Sequence, residues 1–472
     1  MDRPPLVYRM LRQLVRGIVR MFYRRVEVEG REHVPSDRGG LFVAWHPNGL
    51  IDPALILATS PHRVVFGARD GLLRWPLVGP IMRALGTVPI YRAQDQEGMS
   101  PEERRDANRA SLGALADQIA SGSFSALFPE GVSHDAPHLA EVRAGAARLF
   151  LQAVEQTPAG QPPPVVIPVG LHYEDKDVFR TDVLVEFHPP LAAVAADGDR
   201  QQQAQALTKR IEAALVDAVH PTADWALHRL MHRARTLIGA EAAARRGERP
   251  APETIRSRAE GFEQIWAGYQ VHHEASPETI DTLRRDLTRY DDGLRTLGLT
   301  DADLDRPPRV GSPLVVIGAL LQAAAVALLL PPLLALGVIV NVPPYWLLKG
   351  VASVASSSEK DTATVKIFGG LVLFPLAWAL AGLAAALGVG VGLDLPEAPW
   401  AVGLLVAALS AAGGVAVLFY SEVAVGAWRA VRTRVARWRH HHRLGGLRRQ
   451  RANLHDRFLA LADGVPAAQA AA

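Results

Sequence analysis

The sequence predicts an α/β domain followed by a helical connector and C-terminal transmembrane helices. Three observations predict it. Between residues 26 and 200, short β-rich apolar runs alternate with helix-forming stretches; across 201–310 the pattern is charged and helical; across 311–421 long stretches carry no charged side chain. At about 150 residues per domain, a chain of 472 residues exceeds one compact unit. Hydrophobic residues at 49% and charged residues at 21% exclude a wholly disordered or low-complexity chain. The complete absence of Cys excludes thiolate nucleophiles, disulfides, iron–sulfur clusters and Cys-containing zinc sites.

Residues 1–25 carry Arg9, Arg12, Arg16 and Arg20 at spacings of three and four, with Leu11, Leu14, Val15, Ile18 and Phe22 on another face. This is a basic amphipathic helix, interrupted too often by arginine for a signal peptide or a membrane span. It either lies in an anionic lipid interface or caps the following domain. Strands are expected at 40–45, 64–66, 87–91, 125–128, 165–170 and 183–187, with helices at 105–120 and 140–156 between them. In the connector, helices are expected at 225–246 and 279–297, with Pro breaks at Pro250 and Pro307. His272 and His273 there belong to a solvated helical face.

Residues 311–348, 367–393 and 398–421 lack charges, each longer than the ~20 residues that cross a bilayer. Pro331 and Pro332 interrupt the first, so 313–342 is read as re-entrant or spanning, with full spans at 367–393 and 399–421. Lys349, Lys360 and Lys366 in one loop and the arginines of a basic 422–472 tail then share the cytoplasmic side, leaving the turn around Asp394 outside.

Three polar blocks end strands in the first domain. In Trp45-His46-Pro47-Asn48-Gly49-Leu50-Ile51-Asp52, a turn swings Asp52 back toward His46, where a carboxylate fixes the imidazole tautomer and supports the charge it gains as a base. In isolation such a pair is far more often chance neighbours or a helix cap than a catalytic couple. Arg92, closing Gly86-Thr87-Val88-Pro89-Ile90-Tyr91-Arg92, suits a phosphate or carboxylate, or a surface ion pair. Phe128-Pro129-Glu130-Gly131-Val132-Ser133-His134-Asp135 is a glycine-containing polar loop, and Arg143 stands at the start of the helix beyond it, a place favourable to an anion.

These blocks, in this order and joined by Val166-Ile167-Pro168-Val169-Gly170, resemble the four motifs of the glycerol-phosphate and lysophosphatidate acyltransferase family. The resemblance covers residues 25–191, about a third of the chain. It implies a central mixed sheet flanked by helices, with His46 as base and Asp52 as its orienting carboxylate. It further implies Arg92 on the acceptor phosphate, Glu130 and Gly131 lining the acceptor site, and Ser133, His134 and Arg143 as further contacts. Five residues separate His46 from Asp52 where the common family pattern has four, and Val132-Ser133-His134 stands where the lysophosphatidate-using branch has Thr-Arg-Ser. Both departures resemble the branch that acylates glycerol 3-phosphate or dihydroxyacetone phosphate.

The resemblance therefore implies fatty acyl transfer from a thioester to glycerol 3-phosphate, with lysophosphatidate as the alternative acceptor. Acyl-CoA or acyl-carrier protein would be the donor substrate, with no cofactor and no metal. Partners are membrane lipids rather than nucleic acid, and the expected location is the inner or cell membrane, with the catalytic domain facing the cytoplasm. Two readings of other classes compete. One is a metal-dependent phosphoester hydrolase built on His46, Asp52, His134 and Asp135; the other is a membrane adaptor indifferent to His46.

Overall fold

The computed structural model describes residues 4–75, 78–91, 100–134, 136–174, 178–192, 199–248, 254–305, 331–355, 359–392 and 399–462. Contacts divide the chain into two compact units, the first comprising Met1–His228 with Ile255–Ala259 and Ser358–Thr364. The first unit opens with helix α1 (Leu6–Phe22) and is organised on a mixed seven-stranded sheet in the order β1-β7-β6-β2-β5-β3-β4. The strands are β1 (Arg25–Glu29), β2 (Gly40–Ala44), β3 (Val64–Arg69), β4 (Val88–Ile90), β5 (Phe124–Leu127), β6 (Val165–Tyr173) and β7 (Asp182–Phe187). Among the described residues only β6 and β7 pair antiparallel. All five residues of β2 are buried, as expected of a central strand covered on both faces.

Helices α2 (Ile51–Thr59), α3 (Asp70–Leu73), α4 (Val78–Ala84), α5 (Pro101–Ala120), α6 (Gly145–Gln156) and α7 (Arg200–Val219) connect or flank the strands. Helix α5 begins four residues before the expected 105, because Ser100 accepts the Glu103 N–H at 3.2 Å while the Glu103 carboxylate accepts the Ser100 N–H at 2.8 Å. Helix α6 starts later than the expected 140, since the Arg143 amide is donated at 3.0 Å to the Pro129 carbonyl rather than to a helical turn. Leu41, Val43, Leu115, Ile119, Leu149, Ile211 and Leu215 form part of a core shared by β2, α5, α6 and α7. Strand β1 is absent from the expected set: its Arg-Val-Glu-Val-Glu carries charges at every second position, as an edge strand tolerates.

Beyond the site, Glu186 on β7 lies 3.5 Å from His172 Nε2 and 3.7 Å from His188 Nε2. His172 first, then its histidine neighbours, draw the Glu186 carboxyl down to about 2 against its burial. Burial, reinforced by His172 and His188, pushes His220, the C-cap of α7, down to about 4. Both groups have lowered folded-state pKa values, so the stability they contribute is full above the unfolded values and is lost on acidification. His220 loses its share as pH falls from 6.5 toward 4, and Glu186 below 4.5. By pH 5 the loss from His220 amounts to about 2 kcal/mol. Chemical unfolding of the solubilised chain is expected to show this loss between pH 7 and 5, and His220→Asn, which tolerates the left-handed backbone there, to remove most of it.

The second unit takes most of helix α8 (Trp225–Arg245) and α9 (Ile255–Ala275), then α10 (Pro277–Leu297), α11 (Pro331–Ala355), α12 (Glu359–Gly392), α13 (Pro399–Arg439) and α14 (His441–Ala462). Three of these are long and apolar enough to cross a membrane, at Leu333–Val351, Val365–Gly388 and Pro399–Leu418. The first differs from the expected 313–342: Pro331 and Pro332 begin helix α11, and residues 313–330 lie outside those described. Proline is tolerated in a first helical turn, whose amides lack intrahelical acceptors. A Cβ on Gly337 of α11 would meet the Gly413 carbonyl oxygen of α13 at 2.4 Å, so only glycine permits this approach. Asn341 of α11 donates at 3.0 Å to the Ser410 carbonyl of α13 and accepts at 2.9 Å from Trp378 Nε1 of α12, joining three helices.

Residues expected to form a basic tail are helical as far as Ala462, and part of them is core. Leu444, Leu447 and Leu454 pack with Leu283, Leu287, Tyr290 and Leu294 of α10. Their three- and four-residue spacing continues through Phe458 and Leu461, an apolar seam hidden among arginines.

Candidate active site

Strands β6, β2 and β5 are adjacent and parallel through β2, so their C-terminal ends fall on one edge of the sheet. That edge collects the residues after each: His46 to Asp52 after β2, Phe128 to His134 after β5, and Tyr173 at the end of β6. Ligand sites of open α/β sheets occupy this edge.

The turn after β2 closes through the Ile51 N–H donating to the Asn48 carbonyl at 2.9 Å, and α2 starts there. Asp52 thereby stands in the first turn of α2, where the helix field favours a carboxylate, and it is 0% exposed. Its Oδ2 accepts from His46 Nδ1 at 2.8 Å and from the Asn48 amide at 2.8 Å; its Oδ1 accepts from the Tyr173 hydroxyl. The hydrogen on His46 is consequently held at Nδ1, which leaves Nε2 as the basic nitrogen. Nε2 makes no hydrogen bond among the described residues, and the side chain is partly exposed. The Phe128 ring stacks on the imidazole at a centroid separation of 4.0 Å and 15°, fixing the plane of the ring.

Glu130 sits in the loop after β5. It is 1% exposed, and its carboxylate accepts from the His46 amide at 2.9 Å, the Ala140 amide at 2.7 Å and His134 Nε2. A carboxylate so enclosed organises the groups it holds. The His134 amide in turn donates to the His46 carbonyl at 3.1 Å, so the loop after β5 holds His46 through both its amide and its carbonyl. His134 and His46 therefore belong to two separate His–carboxylate pairs, an arrangement unlike the shared ligand set of the hydrolase reading. Asp135 lies outside the described residues.

Gly131 has φ +73°, and a Cβ there would stand 3.4 Å from Arg143 Nη1. The Arg143 side chain lies over this turn, is exposed, and makes no ion pair among the described residues. Ser133 is half-buried in the same loop. Arg92 lies outside the described residues; β4, which precedes it, is an edge strand paired with β3.

Tyr173 and Phe128 were not among the expected site residues. Phe128 belongs to a quoted motif, but its stacking depends on the approach of two loops distant in sequence. Tyr173 is three residues past the fourth motif and reads as strand; only the parallel pairing of β6 with β2 brings it to Asp52. Burial and the negative charge of Asp52 hold the Tyr173 hydroxyl protonated well above its ordinary range, so it stays a donor. Tyr173→Phe strips one donor from a buried carboxylate and is expected to lower the stability of this unit by about 1–3 kcal/mol, read by denaturant unfolding.

A buried carboxylate orienting an imidazole whose second nitrogen is open is an arrangement able to draw a proton from a hydroxyl or water. Residues 25–172 match the family model described as Acyltransferase. Glycerol-3-phosphate O-acyltransferase 2 of Saccharomyces cerevisiae is 27% identical over 135 residues, 28% of this chain and 18% of that protein. An uncharacterized acyltransferase of Schizosaccharomyces pombe is 25% identical over 37% of this chain and 37% of its own length. The chain thus spans well under half the length of these curated relatives. The crystal structure of the 1-acyl-sn-glycerophosphate (LPA) acyltransferase PlsC from Thermotoga maritima is 21% identical over 44% of this chain and 79% of that one, with a TM-score of 0.31.

Proposed function

We propose that the protein is a membrane-bound O-acyltransferase that moves a fatty acyl group from an acyl thioester to the hydroxyl of glycerol 3-phosphate. The observation that carries this reading is the His46 Nδ1 to Asp52 contact of 2.8 Å, with Nε2 left open. His46 Nε2 takes the acceptor's proton as its oxygen attacks the thioester carbonyl; Asp52 balances the imidazolium. The tetrahedral intermediate collapses with cleavage of the C–S bond, and the proton on Nε2 passes to the departing thiolate. Ester and thiol are the products, and no covalent acyl-enzyme or cofactor takes part. The Asn48 amide is committed to Asp52, so the oxyanion is stabilised by other donors.

Arg143, over the Gly131 turn, and Arg92, after β4, are the cations for the acceptor phosphate, with Ser133 as a further contact. Glu130 and His134 hold the base in place. The acyl donor is acyl-CoA or acyl-carrier protein. Three apolar helices and the Lys and Arg bias of their loops support a cell-membrane location with this domain on the cytoplasmic side.

The test offers detergent-purified protein a labelled acyl-CoA, or acyl-carrier protein thioester, with glycerol 3-phosphate and, separately, lysophosphatidate. Lysophosphatidate formed from glycerol 3-phosphate supports the proposal. Acylation of lysophosphatidate alone would reassign the acceptor, and neither reaction would return the protein to the adaptor reading.

A further inference from the structure

Helix α1 is mounted with its apolar face outward. Leu6, Val7, Met10, Leu14 and Met21 fall within an arc of about 100° at 3.6 residues per turn, and Leu6, Met10 and Met21 are 67%, 64% and 58% exposed. The opposite face is spent on the domain. Tyr8, Val19 and Phe22 are buried, and the Tyr8 hydroxyl accepts from the Val64 amide at 2.8 Å. Arg12 Nε donates to the Leu57 carbonyl at 3.0 Å and its Nη2 to the Ser60 carbonyl; Arg16 Nε donates to the Ala58 carbonyl at 2.7 Å. These carbonyls close the C-terminal end of α2, where cations complement the helix field. Two of the four arginines that make the helix read as basic are therefore turned inward. Arg9 and Arg20 remain exposed on the helix.

We propose that α1 lies in the interface of a phospholipid leaflet on its Leu6, Val7, Met10, Leu14 and Met21 stripe, with Arg9 and Arg20 at headgroup level and Arg12 and Arg16 serving α2. The lipid, rather than a protein partner, is the occupant because the same chain carries three helices long and apolar enough to cross a bilayer, and because exposed arginines accompany the stripe as anionic headgroups require. The arrangement ties the lipid contact to the site: α1 holds one end of α2, and Asp52 stands at the other. It does not depend on acyl transfer being the reaction.

The chain has no Cys, so a single introduced thiol is labelled cleanly. Full-length Met10→Cys and, on the exposed face of α5, Ala110→Cys are each labelled with an environment-sensitive fluorophore and reconstituted into phosphatidylcholine–phosphatidylglycerol vesicles. The Met10 label is expected to be quenched several-fold more than the Ala110 label by lipids carrying nitroxide on the acyl chain, and less by aqueous iodide. Equal iodide quenching at both positions would put the stripe in water and overturn the proposal. Shielding of the Met10 label from both quenchers, with energy transfer between labelled copies, would also overturn it by making a second copy the occupant.

Discussion

His46→Gln protein is expected to fold normally and to transfer acyl groups about 10³-fold more slowly than the wild type. Glutamine still offers a donor toward Asp52 but no basic nitrogen at the position of Nε2, so the loss falls on kcat. Asp52→Asn is expected to lose a comparable factor and stability as well. The Asp52 carboxylate accepts from Tyr173, from the Asn48 amide and from His46 Nδ1, whereas an asparagine turns an N–H toward one of these donors. Steady-state kinetics with thermal unfolding of each variant separate the two effects. A His46→Gln rate within about tenfold of wild type would remove His46 from the role of base.

The largest loss of stability is expected from Arg451→Met. Arg451 is 1% exposed in α14; its Nε donates to Glu241 at 2.7 Å, its Nη1 to the Asp301 carbonyl at 2.8 Å and its Nη2 to Asp305 at 2.7 Å. Removing the cation leaves two carboxylates without their common partner, Glu241 in a buried setting, and is expected to cost about 3–5 kcal/mol in denaturant unfolding of the second unit. Arg451→Met combined with Glu241→Gln should recover part of that loss, because the buried carboxylate, left with only the half-exposed Arg245 as its cation among the described residues, is then neutral.

Arg451 also shows where the sequence was hard to read. It interrupts the seam of Leu444, Leu447, Leu454, Phe458 and Leu461, so the arginine-rich composition of 422–472 outweighed a helical period that was present. The sheet was more legible. Five expected strands match β2 through β6 to within a few residues, and 183–187 matches β7, because continuous apolar runs between turn signals have few other solutions. Within the site, the His46 and Asp52 pairing followed from a turn of seven residues, a short-range relation. The contacts of Glu130 with the His46 amide, of Phe128 with the imidazole and of Tyr173 with Asp52 join residues 84, 82 and 121 positions apart. Sheet order decides such contacts, and local pattern carries no trace of it.

The glycine contacts between α11 and α13 have a practical consequence for handling the protein. In a bilayer, lipid tails solvate apolar helices as well as other helices do, so water exclusion does not press these segments together. Close backbone approach at Gly337 and Gly413 and the Asn341 hydrogen bonds hold them instead. Short-chain detergents slip between such smooth faces and solvate them, whereas the core beneath the sheet, formed by exclusion of water, does not compete with detergent in this way. Extraction conditions are therefore expected to decide whether these three apolar helices stay packed together, and a drop in thermal stability on changing detergent is to be read first as loosening of those helices.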